Sequence, residues 1–176
     1  MLESILQKHV LAFRSEAMML LRFQLASNRI FNLDDINRIS RSDYVDRIIS
    51  LKAIENDILI RICKFDDKRN NTHSFHNALK TIDKKFSNRK NLISQINKFS
   101  ALINEIKQKR RHEQLAHLSF GQIDNQYYPE YNFIETINLI IEIIDIMNQK
   151  RFNYLWKDGS YEKFDLRNEI LNNNYK

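Results

Sequence analysis

The stretch Asn91-Leu92-Ile93-Ser94-Gln95-Ile96-Asn97-Lys98-Phe99-Ser100-Ala101-Leu102-Ile103-Asn104-Glu105-Ile106 decides the fold. Its apolar residues Leu92, Ile96, Phe99, Ile103 and Ile106 recur at steps of four, three, four and three. That rhythm places them on one stripe of an α-helix, whereas a half-buried strand needs steps of two. Continued at the same rhythm, the stripe passes through Arg110, Glu113 and His117. The face that is core in the first half therefore turns polar in the second. A helix that only supports a core more often keeps an apolar stripe or ends. Gly121 is the natural stop signal just beyond.

The same helical rhythm extends outward in both directions. Residues 2 to about 30 read as a long first helix, with Ile5, Leu6, His9, Phe13, Met18, Leu21 and Leu25 at its apolar positions. Asn32-Leu33-Asp34-Asp35 reads as a break. Ser42 or Asp43 is the expected cap of a second helix running to about Phe65, with Ile48, Leu51, Ile58, Ile62 and Phe65 on one stripe. Asp66 to Thr72 is a charged, Asn-rich loop, and Ser74 caps a shorter third helix expected to reach Phe86. Gln122 to Tyr131 is a loop holding the only proline. Asn132 with Glu135 resembles a capping box that opens a helix expected to run to about Trp156. Asp158-Gly159-Ser160 breaks it, a last short helix spans Tyr161 to Leu171, and Asn172-Asn173-Asn174 with Lys176 forms a frayed tail. The expected fold is all-α, an antiparallel bundle of about five to six helices in one domain spanning residues 1–176.

Composition agrees. The chain has 176 residues, enough for a real core, with 43% hydrophobic residues and only 2 Gly and 1 Pro. Isoleucine is abundant, which by itself hints at strands, but the spacing is helical. The net charge of +6 suits an anionic partner such as nucleic acid. The single Cys63 excludes an internal disulfide and a cysteine metal cluster, and its place in an apolar pattern reads as a small buried hydrophobe. The start, Met1-Leu2-Glu3-Ser4-Ile5, lacks the basic region and cleavage site of a signal peptide. The most apolar run, Ile137 to Met147, contains Glu142 and Asp145 and is too short for a bilayer. The expectation is a cytoplasmic protein without a membrane partner.

Chemistry concentrates at the polar end of the decisive helix, in Arg110-Arg111-His112-Glu113-Gln114-Leu115-Ala116-His117. Arginine carries a permanent, fork-shaped charge that fits a phosphate. Histidine moves protons near neutral pH. Together they are minimal equipment for cutting RNA without a metal: one group holds the phosphate and the other shuttles the 2′-hydroxyl proton. The plainer reading of the same residues is that Lys107, Lys109, Arg110 and Arg111 balance the negative end of the helix dipole.

In this context the chain resembles the HEPN superfamily of helical bundles. The family signature is an arginine, usually followed by Asn, Asp or His, and then a histidine after four to six intervening residues. Here Arg111 is followed by His112, and five residues separate it from His117. Ala116 before His117 is also family-like. Three further pieces look like the abortive-infection branch of HEPN toxins: Arg61-Ile62-Cys63-Lys64-Phe65-Asp66, the helix starting near Ser74, and Tyr131 through Asn148. The resemblance covers roughly residues 40–150.

The resemblance implies a metal-independent endoribonuclease with no cofactor, often a toxin or antiphage effector. It implies a homodimer sharing one cleft, RNA as substrate and a possible antitoxin protein as partner. Arg111 and His117 would be catalytic. Arg110, His112 and Glu113 would support them, and Lys107 and Lys109 would contact RNA. Relatives paired with nucleotidyltransferase antitoxins often carry a tyrosine two residues after the histidine. Ser119 stands there, so modification of that kind is not implied.

Periodicity and motif choose different arginines. On a straight helix Arg111 and His117 lie about 120° apart, and Arg110 and His117 about 20° apart. A dimer reconciles the two, because Arg111 of one subunit can face the histidine of the other. Glu113 lies on the His117 face and either orients it or forms a surface ion pair.

Elsewhere, His73 and His76 stand at a ligand-like step of three but lack an acidic partner close in sequence. His9 reads as a hydrogen-bonded core histidine. Lys84-Lys85 and Arg89-Lys90 form a solvated face or an RNA footprint. The tyrosines at 127, 128 and 131 either stack on bases or pack at a loop–helix junction. The alternative to an enzyme is a non-catalytic helical module that binds nucleic acid or protein through the same basic end.

Overall fold

The computed structural model describes residues 2–31, 39–110, 133–158 and 162–171. Its elements are α1 (Leu2–Phe31), α2 (Arg41–Phe65), α3 (Phe75–Thr81), α4 (Arg89–Arg110), α5 (Phe133–Asn148), β1 (Leu155–Asp158), β2 (Glu162–Asp165) and α6 (Leu166–Leu171). The fold is an all-α bundle with one small hairpin.

Helix α1 is the axis of the bundle and packs on α2, α3, α5 and α6. Val10, Phe13, Ala17, Leu20, Leu21 and Leu25 are its buried stripe, at helical spacing. Helix α5 packs between α1 and α4 and is apolar nearly all round. Its isoleucines 137, 140, 141, 143 and 144 are all buried, as expected of a helix with neighbours on several sides. The decisive stripe of α4 behaves as its rhythm demands: Leu92, Ile96, Phe99, Ile103 and Ile106 are all buried. Where α1, α2, α3 and α4 meet, Phe13, Phe65, Phe75 and Phe99 form an aromatic cluster with ring centroids 5.1–5.6 Å apart. No helix among the described residues is long and apolar enough to cross a membrane.

Two boundaries before α4 differ from the sequence expectation. The cap of α2 is Ser40, not Ser42 or Asp43. The Ser40 side chain accepts from the Asp43 amide (3.1 Å) and donates to the Asp43 carboxylate (2.8 Å), so Asp43 is the reciprocal partner three residues on. The cap of α3 is Ser74 as expected, but the helix ends at Thr81 and not at Phe86. Beyond it, the Asp83 carboxylate takes the Lys85 amide at 2.8 Å, an Asx turn that competes with helix. The Arg89 guanidinium donates to the Ile82 carbonyl (2.9 Å) and covers the open end of α3.

The largest correction concerns the chain after α5, expected to stay helical to Trp156 and to resume as a helix at Tyr161. Helix α5 stops at Asn148, and Gln149 takes a left-handed conformation (φ 57°). The chain then forms the antiparallel hairpin β1–β2, with Trp156 opposite Phe164. Among the described residues after the hairpin begins, Leu166–Leu171 are helical. Side-chain anchors hold the hairpin in place. The Asp145 carboxylate accepts from the Phe152 amide (2.9 Å) and from Arg167 (2.6 Å). Asp165 accepts from the Tyr154 and Arg167 amides. The Arg22 guanidinium lies 3.7 Å from the Trp156 ring centroid, fastening the hairpin to α1.

The aromatic cluster is the contact shared by four helices, so its loss should be felt globally. Phe75→Ala should cost about 3–5 kcal/mol in chemical denaturation. A cost below about 1 kcal/mol would show that α3 is peripheral to the core.

Candidate functional site

The sequence places its chemistry at the carboxyl end of α4, and that end is anchored. Asp66 follows the last residue of α2 and is buried, with 5% of its surface exposed. It accepts hydrogen bonds from three side chains of two other helices. The Ser100 hydroxyl reaches Oδ1 at 2.6 Å, His76 Nε2 reaches the same oxygen at 2.9 Å, and Lys107 Nζ reaches Oδ2 at 3.1 Å. Asp66 thus joins the end of α2 to the start of α3 and to α4 at two points about two turns apart on one face.

Burial alone would push the Asp66 pKa up. The bonds from Ser100, His76 and Lys107, with the Lys107 charge, outweigh burial, and the net shift is downward. Asp66 is held as a carboxylate. Ser100, His76 and Asp66 are the residue types of a nucleophilic relay, but the geometry is not that of one. A relay uses opposite ring nitrogens of the histidine. Here Nε2 of His76 faces both Asp66 (2.9 Å) and Ser100 (3.4 Å), and the serine donates directly to the carboxylate. The arrangement holds three elements together and does not activate the hydroxyl.

The sequence-based site residues distribute as follows. Lys107, expected to contact RNA, lies in α4 and is committed to Asp66 while keeping 39% of its side chain exposed. Lys109 and Arg110 belong to the last turn of α4. Arg111, His112, Glu113 and His117 lie outside the described residues, as do the tyrosines at 127, 128 and 131 and Gly121. Lys84, Lys85 and Lys90 are exposed, whereas Arg89 caps α3.

The two histidines at a step of three have separate partners. No acidic partner stands close to them in sequence, but the fold brings Asp66, ten residues earlier, to His76. His73 instead meets His9, with their Nδ1 atoms 3.0 Å apart. His9 is buried, and desolvation followed by the His73 charge lowers its pKa. No group of three or more His, Cys, Asp or Glu suited to a metal occurs among the described residues. Cys63 is half-buried against the core.

A second set of charges crosses from α1 to α2. The Glu16 carboxylate accepts from Arg61 Nη1 at 2.6 Å and from the Lys64 ammonium, and Arg61 Nε also donates to Asp57 at 2.6 Å. The Arg61 guanidinium stands 5.2 Å from the Phe23 ring centroid. The contacts between α1 and α2 were invisible as pairs in the sequence, whereas Arg61 and Asp57 stand four residues apart on one helix. The α1 and α2 partners are more than forty residues apart, with Glu16 and Arg61 separated by 45 positions.

No family model, curated protein or solved structure matches the chain. The functional reading therefore rests on its own residues.

The downward shift of Asp66 has a pH consequence. A depressed folded-state pKa contributes stability above the ordinary carboxylate value of 3.8, and that contribution is lost as pH falls through the lower folded value. Asp66→Asn should cost about 1–3 kcal/mol at neutral pH. The gap between variant and wild type should close as pH falls below the ordinary carboxylate range. Thermal melts across acid pH check this, and a gap that stays constant contradicts the assignment.

Proposed function

We propose that the chain is a metal-independent endoribonuclease of a bacterial toxin–antitoxin or antiphage abortive-infection system, resembling the HEPN toxins. The observation that carries the reading is that Arg110 ends α4, whose buried stripe runs Leu92 to Ile106, and that Arg111 and His117 follow it in the sequence. In the sequence, the four–three rhythm of that stripe continues through Arg110, Glu113 and His117. Two further facts support it. The chain carries a net charge of +6, and α4 is anchored one turn before the motif by the Lys107–Asp66 bond. A site of this kind needs a fixed base on which to hold a phosphate within hydrogen-bond reach.

The chemistry balances without a cofactor. His117 takes the proton of the ribose 2′-hydroxyl, and the oxygen attacks the adjacent phosphorus. The bond from phosphorus to the 5′-oxygen breaks, and that oxygen takes a proton from the histidine of the site. The products are a 2′,3′-cyclic phosphate and a 5′-hydroxyl. Arg111 binds the phosphate and offsets its developing charge, with Arg110 as a further phosphate contact. Glu113 and His112 stand beside them in sequence as orienting groups. A homodimer would bring two copies of the motif into one cleft, and an antitoxin protein would hold the activity in check.

Two outcomes follow. RNA should be cut in the presence of EDTA while DNA of the same sequence resists. His117→Ala should slow cleavage ~10²–10⁴-fold, the usual worth of proton transfer. Arg111→Lys should also be poor, because a point charge does not replace the fork. A His117→Ala protein that cuts at the wild-type rate would leave a non-catalytic binding module as the better reading.

The second outcome concerns assembly and charge. Sedimentation at micromolar concentration should give a two-fold dimer. Lys109→Ala should weaken RNA binding alike across sequences and reduce the slope against salt by about one. A monomer, or affinity independent of salt, contradicts the shared RNA cleft.

A further inference from the structure

A cavity of about 540 Å³ lies between α1, the end of α2 and the loop leading to α3. Its volume is in the range of small-ligand pockets. Ala12, Phe13 and Met19 of α1 and Phe65 of α2 give it an apolar side. Arg61, Lys64, Arg69 and His73 give it a cationic rim, broken by Glu16 and Asp67.

The rim is pre-formed. Arg61 is held between Glu16, Asp57 and the face of Phe23. The 67–73 loop is tied to α3, because Asn77 Nδ2 donates to the carbonyls of Arg69 (2.6 Å) and Thr72 (3.0 Å), and Thr72 Oγ1 donates to the Arg69 carbonyl (2.9 Å). Arg69 itself makes a fork with Asp67 and leaves 78% of its side chain exposed. Lys64 gives one bond to Glu16 and leaves half of its side chain exposed.

The described contacts of Arg61, Lys64 and Arg69 leave N–H donors over on each head group. The lining holds three cations and two carboxylates, and Asp57 outside it also pairs with Arg61. His73 reaches the rim with Nδ1 already occupied by His9, so its other ring nitrogen is the one open to a ligand.

We propose that this cavity is a binding site for a small aromatic phosphate monoester. Its ring lies against Met19 and the apolar side, and its phosphate is taken by Lys64, Arg69 and His73. A guanidinium and an ammonium beside an imidazole suit a dianionic phosphate better than a lone carboxylate, because each phosphate oxygen finds its own donor. An apolar wall beside the anion site selects for a ligand that carries a ring. The site is distinct from the arginine–histidine motif and stands whether or not that motif cuts RNA.

The test follows the methyl groups of the methionines by NMR in protein carrying ¹³C-methyl methionine. Met19 reports the cavity, and Met147, buried in the core, is the internal control. Three probes are titrated: phenyl phosphate, inorganic phosphate and benzyl alcohol. Phenyl phosphate should move Met19 saturably and leave Met147 in place. Its affinity should exceed that of either half-probe by about tenfold or more. Lys64→Ala combined with Arg69→Ala, both at exposed side chains, should weaken it by about tenfold or more. The His117→Ala protein should bind as wild type does. A Met19 signal unmoved by millimolar phenyl phosphate overturns the proposal, as does benzyl alcohol binding equally well or a double variant that binds unchanged.

Discussion

One buried carboxylate ties α2, α3 and α4 together in a fixed register. Asp66 ends α2 and gathers Ser100, His76 and Lys107 from α3 and α4. A carboxylate taken out of water is costly unless its lone pairs are satisfied. Here several donors satisfy it, and the arrangement tolerates little change. Moving α4 along its axis by one residue, about 1.5 Å, would break the bonds from Ser100 and Lys107 together. The register of α4 against α2 and α3 is therefore set by polar contacts, whereas its burial is set by Leu92, Ile96, Phe99, Ile103 and Ile106. Apolar stripes are forgiving about register, and hydrogen-bonded charges are not.

Neighbouring residues of this junction have different surroundings. Asp66 is closed off by its donors, whereas Phe65 and Asp67 line a cavity edged by Arg61, Lys64 and Arg69. The ion pairs of that rim are partly exposed, with side-chain exposures from 18% to 78%. Pairs of this kind contribute little to stability, typically about 0–1 kcal/mol each. Their value lies in holding cationic groups in fixed places at a small energetic cost. Stability comes instead from the aromatic cluster and from α5, which puts isoleucines against its neighbours on nearly every side.

What the sequence makes legible is what is local. The four–three rhythm from Leu92 to Ile106 and the Ser74 cap need only neighbours along the chain, and both correspond to the structure. The true start of α2 was also written locally: Ser40 has an acid three residues on, in Asp43, whereas Ser42 has Val45. The hairpin had its own signal in the steps of two from Phe152 to Tyr154 to Trp156, followed by Asp158-Gly159, a hairpin dipeptide. The helical rhythm of Ile137 to Met147 masked it, and the left-handed Gln149 that ends α5 is not a glycine and gives no warning. Asp66 was beyond reach for another reason. Its partners stand 10, 34 and 41 residues away, and no periodicity within one element records a contact between elements. The arginine–histidine motif is legible only as a pattern; its residues 111–117 lie outside the described structure.

The account turns on whether Arg111 and His117 direct the attack of RNA on itself. The most direct measurement is the chemical identity of the ends produced when the purified protein is incubated with RNA and EDTA. The account predicts a 2′,3′-cyclic phosphate on one fragment and a 5′-hydroxyl on the other, because only the substrate's own hydroxyl is activated. Fragments ending in a 3′-hydroxyl and a 5′-phosphate, or RNA left intact, would contradict it.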